Sequence, residues 1–352
     1  MHRWFLPACY FIFALLSVQT LSSVAPQLSG RQLISFVLGA VLFYIFSKIS
    51  FQQLLQVRWF LYVAAIIILL IPLFLFDPTR GTHRWIDIGG VFTIQSSQLA
   101  LPLTIFVLVS LFTKAKHYSW AVLCSFLFLL AIPAGLILIA PDLGSTLAYA
   151  LPLMALILIV PFSWKKIGTL AVLGVFGVIF AWHFILEPYQ KVRFMSFLNP
   201  ESSDNYNAHQ ALITVGSGKL MGRGLGQGIQ SHLRFLPERQ TDFIFASFAE
   251  EYGFFGCLVL VGAYGGLIYY LFLSSRSVHS PEAKMYLIVL ASALFLQASI
   301  NIHMNLGLLP ITGITLPLMS YGGSSILSLA IMLGVSQNIV QGIAPKQALH
   351  IS

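Results

Sequence analysis

The chain has 352 residues, 58% of them hydrophobic and 9% charged, with a mean hydropathy of +0.87 and a formal charge of +8. Soluble domains carry about 25% charged residues, so this composition excludes a soluble globular protein and implies a polytopic membrane protein. The basic residues are spread over many short loops and form no single stripe with aromatic stacking partners, which argues against nucleic acid as a partner.

Runs long enough to cross a bilayer, roughly 20 apolar residues each, number about ten. They are 4–21, 33–49, 59–76, 99–112, 120–139, 143–162, 167–186, 243–273, 285–309 and 324–343. Trp4, Trp59, Trp120, Trp164 and Trp182 stand at or near run ends, where interfacial indoles are expected. Arg3 and the apolar run after it resemble a secretion signal. Pro26 directly follows Ser23, Val24 and Ala25, however, so an uncleaved first helix is expected. Cys9, Cys124 and Cys257 each lie in an apolar stretch, with neither the number nor the spacing of a disulfide framework or a zinc site.

If the runs alternate, Arg3, Lys48, Arg58, Lys114, Lys116, Lys165, Lys166, Arg276, Lys284 and Lys346 share one side, with Glu282 the acid among them. The positive-inside rule makes that side the cytoplasm and puts both termini there. The opposite short loops carry Arg31, Arg80 and Arg84. The expectation is therefore an all-α polytopic fold, one membrane domain over 1–352 without internal repeats. Its large extracytoplasmic loop, 187–241, lies between the seventh and eighth helices, where ATP is absent.

That loop and its edge hold the candidate chemistry. Thr241 is placed to cap the eighth helix, which would put Asp242 in the first turn, where the positive helix end favours an ionised carboxylate. Such a group can serve as a general base, although an ordinary capping acid fits the spacing as well. Lys191, Arg193, Lys219, Arg223, Arg234 and Arg239, with Arg80 and Arg84 from the earlier outer loop, suit an anionic partner. Arginine forks match phosphate oxygens, so beside a candidate base the set favours a diphosphate, whereas singly each residue also fits a solvated loop.

The glycine series Gly216, Gly218, Gly222, Gly224, Gly226 and Gly228 matches neither nucleotide fingerprint and has no βαβ context. It reads as tight or re-entrant backbone. Residues 309–325, with Pro310, Pro317, Gly313, Gly322 and Gly323, read as broken helix, either a cavity wall or a plain loop. A cavity wall would serve a transporter as well as an enzyme. Glu250 and Glu251 are acids within an apolar run, a functional hypothesis by default. Asp142 is read as a helix cap, and His303, between Asn301 and Asn305, as a polar contact between helices. No compact set of histidines suggests a protein-built metal site.

Several blocks together are similar to one family. Asn199-Pro200-Glu201, Gly216-Ser217-Gly218, Gly222-Arg223-Gly224, Phe235-Leu236-Pro237-Glu238 and Thr241-Asp242-Phe243-Ile244-Phe245-Ala246 resemble the SEDS family (shape, elongation, division and sporulation). So do Arg84-Trp85-Ile86-Asp87-Ile88-Gly89-Gly90, Pro141-Asp142-Leu143-Gly144 and Pro317-Leu318-Met319-Ser320-Tyr321-Gly322-Gly323-Ser324. Gln230-Ser231 ahead of Phe235 resembles the RodA, elongation, branch more than the FtsW, division, branch.

The resemblance implies a peptidoglycan glycosyltransferase in the bacterial cytoplasmic membrane that joins lipid II into glycan strands on the outer side and releases undecaprenyl diphosphate. It further implies a class B penicillin-binding protein and other elongation-complex membrane proteins as partners. Asp242 matches the family's essential aspartate. Arg193, Lys219, Arg223 and Arg239 become candidates for stabilising the diphosphate, with a divalent cation, Mg²⁺ or Mn²⁺, as a candidate helper. Arg84, Glu238, Ser320 and Tyr321 fall in matching motifs and join the expected substrate-binding set.

One departure stands out. Where the family usually has Gln-Pro-Ser-Glu-x-x-Lys, this chain has Gln95-Ser96-Ser97-Gln98-Leu99-Ala100-Leu101. Glutamate and lysine are lost together, which costs far less than losing one partner of a pair. A division or sporulation polymerase, a flippase for lipid-linked precursors and a non-catalytic scaffold are the alternative readings.

Overall fold

The computed structural model describes residues 4–75, 84–88, 92–115, 118–198, 206–233 and 235–342. The expectations for Arg3, Arg80, Gly89, Gly90, Lys116, Asn199, Pro200, Glu201, Arg234 and Lys346 lie outside them. In chain order the elements are α1 (Phe5–Val24), α2 (Pro26–Lys48), α3 (Phe51–Gln56), α4 (Arg58–Leu75), β1 (Trp85–Ile88), β2 (Phe92–Gln95), α5 (Ser96–Lys114), α6 (Trp120–Ile139) and α7 (Leu143–Ile159). There follow α8 (Trp164–Phe184), α9 (Pro188–Leu198), α10 (Tyr206–Ser217), α11 (Ile229–His232), α12 (Ile244–Ser277), α13 (Pro281–Asn305) and α14 (Gly323–Gly342).

Among the described residues, 9 helices are long and apolar enough to cross a membrane. With α7 they account for every predicted run, and the chain is a multi-pass helical membrane protein. At 17 residues α7 is about 25 Å long, short of the roughly 30 Å hydrocarbon core. Its first turn opens onto the cavity described below, so it has less apolar thickness to cover.

Local chemistry sets the helix starts. Ser50 and Gln53 form a reciprocal capping box at α3, and Ser119, Asp142 and Ser280 accept backbone N–H groups at the starts of α6, α7 and α13. The second crossing begins at Pro26, well before its predicted start, because Pro26 suits a first helical turn and the polar Gln32 is buried inside the bundle. Gln32 Nε2 reaches the Ser17 hydroxyl at 2.9 Å and the Ser320 carbonyl at 3.1 Å, so its polarity is spent on packing.

The core lies around α5, α13 and α14, while α8 has no fully buried side chain and touches the core only through half-buried residues such as Ile167 and Leu170. Trp4, Trp59, Trp120 and Trp164 are exposed at helix starts, as interfacial anchors require. A hairpin adds to the helical plan: β1 and β2 pair antiparallel, with Trp85 opposite Gln95 and Ile88 opposite Phe92. Strands this short carry too little alternation to stand out from sequence.

At 34 residues, α12 is longer than a crossing needs, and it is interrupted at Gly253, whose φ of 67° and ψ of −167° only glycine adopts without strain. The arm over 244–252 therefore stands apart from the crossing proper.

Candidate active site

Asp242 sits in the turn just ahead of α12. The helix starts at Ile244 with Phe243 as N-cap, and no acid lies in its first turn. Thr241 does not cap it, contrary to expectation, because the helix begins too late for its hydroxyl to reach. That hydroxyl turns back instead, onto the Glu238 carbonyl at 3.2 Å and the Glu238 carboxylate at 3.0 Å. Glu238 itself is in the left-handed region, with a φ of 46°, and its carbonyl also accepts the Phe243 N–H at 3.2 Å. The turn is pinned from the far side by residues 316–321: the Ser320 hydroxyl donates to the Thr241 carbonyl at 2.7 Å, and the Tyr321 N–H to the Gln240 carbonyl at 2.9 Å.

Asp242 faces a cavity of about 650 Å³, walled by Arg84 and Gln95 beside the hairpin, Asp142 and Ser145 at the start of α7, and Gln190 and Arg193 on α9. Glu238 and Tyr321 close it near Asp242, and Pro310, Ile311, Thr312, Gly313 and Thr315, in irregular backbone between α13 and α14, form a wall, the first of the two readings of 309–325. Burial, with the Glu238 carboxylate and then Asp142 adding to it and Arg193 and Arg84 opposing, pushes Asp242 up to about 6. It remains ionised near neutral pH, yet it is a stronger base than a surface aspartate.

Asp142 is more than a cap. Its Oδ1 accepts the Ser145 N–H at 3.0 Å, and its Oδ2 accepts the Ser145 hydroxyl at 2.7 Å, Gln95 Nε2 at 2.9 Å and an Arg84 terminal nitrogen at 3.0 Å. Arg84 thus has one edge fixed, while its Nε is buried without a partner among the described residues. A buried donor of this kind beside a polar cavity suits an anionic oxygen from a ligand.

Of the expected site residues, the cavity gathers Asp242, Arg84, Arg193, Glu238 and Tyr321. Ser320 is buried behind the turn and supports it. Lys219, Arg223 and Arg239 do not line the cavity. Lys219 and Arg223 are exposed, Arg223 Nε bonding the Ser217 carbonyl at 3.2 Å, and Arg239 Nε bonds the Val24 carbonyl at the end of α1 at 3.1 Å. The glycine loop that carries Lys219 and Arg223 folds back onto α12, and Arg239 turns toward the end of α1.

The fold-back explains the glycines. Phe254 and Phe255 donate to the Lys219 and Leu220 carbonyls at 2.9 and 3.2 Å, while Arg223 and Gly224 donate to the Glu250 and Glu251 carbonyls at 2.9 and 3.1 Å. Loop backbone thereby supplies the partners that the break at Gly253 removes. A β-carbon on Gly222, whose φ is 79°, would lie 2.5 Å from the Glu251 carbonyl carbon.

The two buried acids serve the same fold-back. Glu250 accepts the Gln230 and Ser231 N–H groups, both at 2.9 Å, and the Ser231 hydroxyl at 2.6 Å. Glu251 accepts from the Ser23 hydroxyl and from the Gly226 N–H at 3.3 Å.

His303 is exposed and bonds the Ser299 carbonyl of its own helix, so it makes no contact between helices. Gln98 lines the cavity floor, and Leu101 is buried beneath it. The three cysteines are free thiols. Among the described residues no three His, Cys, Asp or Glu side chains stand together as metal ligands. Sequence reasoning missed the cavity roles of Asp142, Gln95 and Gln190. The signal available for them was polarity at the edge of apolar runs.

Comparisons with known proteins identify the family. The family model for FtsW, RodA and SpoVE, described as "Cell cycle protein", matches residues 4–343. The peptidoglycan glycosyltransferase MrdB of Helicobacter pylori is 32% identical over 348 residues, covering 97% of this chain and 90% of that protein. MrdB of Escherichia coli K12 is 32% identical over 339 residues, covering 93% and 90%.

Among solved structures, a chain from work on the structural coordination of polymerization and crosslinking by a peptidoglycan synthase complex aligns with a TM-score of 0.83 at 26% identity, covering 97% of this chain and 98% of that one. The crystal structure of the Thermus thermophilus rod shape determining protein RodA aligns with a TM-score of 0.73 at 25% identity, covering 97% of each chain. On the extent of these matches the chain belongs to the FtsW/RodA/SpoVE, or SEDS, family, and within it to the RodA type.

Proposed function

We propose that this chain is a peptidoglycan glycosyltransferase that polymerises lipid II for cell elongation, with Asp242 as its general base. The observation that carries the proposal is a carboxylate raised to about 6 on the wall of a cavity that also holds Arg84 and Arg193. Asp242 takes the proton from the 4-hydroxyl of the acceptor lipid II as that oxygen attacks the anomeric carbon of the growing strand. The new C–O bond forms as the bond to the diphosphate breaks. Undecaprenyl diphosphate departs, and an α-linked donor becomes a β-1,4 link, with inversion.

Arg84 and Arg193 take the diphosphate as its charge develops. Asp142 holds the Arg84 fork in place. Lys219, Arg223 and Arg239 lie outside the cavity and are assigned no part in the displacement. The described residues offer no cluster of metal ligands. A divalent cation, Mg²⁺ or Mn²⁺, would therefore enter with the substrate's diphosphate.

The positive-inside asymmetry supports cytoplasmic termini and a cavity opening on the outer face of the cytoplasmic membrane. The likeness to a chain of a peptidoglycan synthase complex supports a cross-linking partner, which we take to be a class B penicillin-binding protein.

The test is polymerisation of purified lipid II by the detergent-purified protein, with and without that partner, comparing wild type with Asp242→Asn. Loss of a general base costs roughly 10²- to 10⁴-fold, so strands from wild type and only a slow residual rate from a folded variant are expected. Equal polymer from both would remove Asp242 as base, and none from folded, partnered wild type would favour transport or scaffolding.

A further inference from the structure

Two fully buried asparagines on α13 converge on the backbone of Asp242. Asn301 Nδ2 donates to the Asp242 carbonyl at 3.0 Å and to the Ile314 carbonyl at 2.8 Å. Asn305 Nδ2 donates to the same Asp242 carbonyl at 3.1 Å and to the Asn301 carbonyl at 2.8 Å. Asn305 Oδ1 accepts the Ala246 N–H at 3.1 Å.

Ala246 holds the helical position whose N–H an N-cap side chain usually receives, and the N-cap here, Phe243, offers no such group. Asn305 therefore caps α12 from another helix. The Asp242 carbonyl takes a donor on each lone pair, which fixes the peptide plane leaving Asp242 and, through it, the direction of its side chain. Asn301 ties that plane to the cavity wall, where a β-carbon on Gly313 would stand 3.8 Å from an Asp242 carboxylate oxygen.

Burying two amides is costly unless each is satisfied, and leucine would fill the same space between α12 and α13. The amides are thus placed for direction as well as packing. We infer that Asn301 and Asn305 are positioning residues for Asp242, setting the depth and direction at which its carboxylate meets the acceptor hydroxyl. The inference rests on the proposed function above. Productive geometry tolerates about 0.5 Å, and a 1 Å displacement of a reacting group can cost about 10²-fold.

The experiment uses the full chain with its class B partner. The proteins are wild type, Asn301→Ala, Asn305→Ala and the serine variants Asn301→Ser and Asn305→Ser, each also combined with Asp242→Asn. Lipid II polymerisation gives kcat and KM, and thermal melting gives the folded fraction. Positioning predicts that kcat per folded molecule falls about 10- to 100-fold while KM stays within about twofold. In the Asp242→Asn background the same substitutions should change the residual rate by less than about twofold, because they act through that carboxylate.

A rise in KM with kcat intact, a loss explained wholly by folded fraction, or equal losses in both backgrounds would overturn the inference. So would failure of all four single variants to fold, which would make the pair purely structural. Polymer from wild type with undiminished kcat in the asparagine variants would sink this inference alone, whereas no polymer from wild type would sink the proposed function with it.

Discussion

Arg84 and Asp142 meet at 3.0 Å, the arginine at the foot of the β1–β2 hairpin and the aspartate at the cap of α7. The contact joins two elements that share no sequence neighbourhood and leaves the buried Nε of Arg84 for a ligand. It also places one negative and one positive charge within electrostatic reach of Asp242, with opposite effects on its proton affinity.

Opposite pH shifts follow. Asp142→Asn removes a charge that raises Asp242 and unpairs an arginine that lowers it, so the acidic limb of kcat/KM should move to lower pH. Arg84→Gln should move it to higher pH and raise KM for lipid II. Initial rates across pH check both. Shifts in the same direction would mean that neither charge acts on the base.

In the wild type the base must be deprotonated, so kcat/KM should fall about tenfold per pH unit once pH drops below about 6. The stability sign is the reverse. The folded state binds this proton more tightly than the unfolded chain, so its contribution favours folding below the ordinary carboxylate range and is lost as pH rises through about 6. Asp242→Asn should therefore be more stable near pH 7, by on the order of 1–3 kcal/mol, and melt at a higher temperature. A lower melting temperature would contradict burial as the cause of the shift.

Arginines near Asp242 in sequence should matter less than one near it in space. Lys219→Ala and Arg223→Ala should keep polymerisation within about threefold of wild type, as exposed positions away from a site usually do. Arg193→Ala should lose about tenfold or more, as a diphosphate ligand would. Parallel rate measurements on the three purified variants decide it.

The fold-back onto α12 should be fragile at its contact points. Gly222→Ala introduces a β-carbon into the backbone beside Glu251, and Glu250→Ala leaves the Gln230 and Ser231 N–H groups without acceptors. Each should destabilise by about 2 kcal/mol or more. Thermal melting of the detergent-solubilised variants checks this, and wild-type melting would show the loop to be independent of α12.

The crossings were legible because about 20 consecutive apolar residues admit few other structures. Asp242 was singled out by its place at the start of the eighth run and by the motif around it, whereas Glu250 and Glu251, acids inside an apolar run, hold the glycine loop. Thr241 was misjudged as a cap because one residue of shift in a helix start moves a hydroxyl out of reach, and boundaries carry no hydropathy signal. Lys219 and Arg223 were grouped with Arg193 as basic residues of one loop, while the backbone bonds that fold their part of it onto α12 at the Gly253 break carry no charge signal. Asp142 was recognised only as a cap, because its second partner, Arg84, comes from a hairpin too short to announce itself.

The interruption at Gly253 also gives α12 a joint. A bilayer that thickens or thins makes a crossing helix tilt to match it, and an unbroken α12 would transmit that tilt straight to Asp242. Here the arm over 244–252 is moored to α13 and to the glycine loop, and the same loop takes the N–H groups of Phe254 and Phe255 just past the break. A tilt of the crossing therefore has no continuous helical ladder through which to reach Asp242.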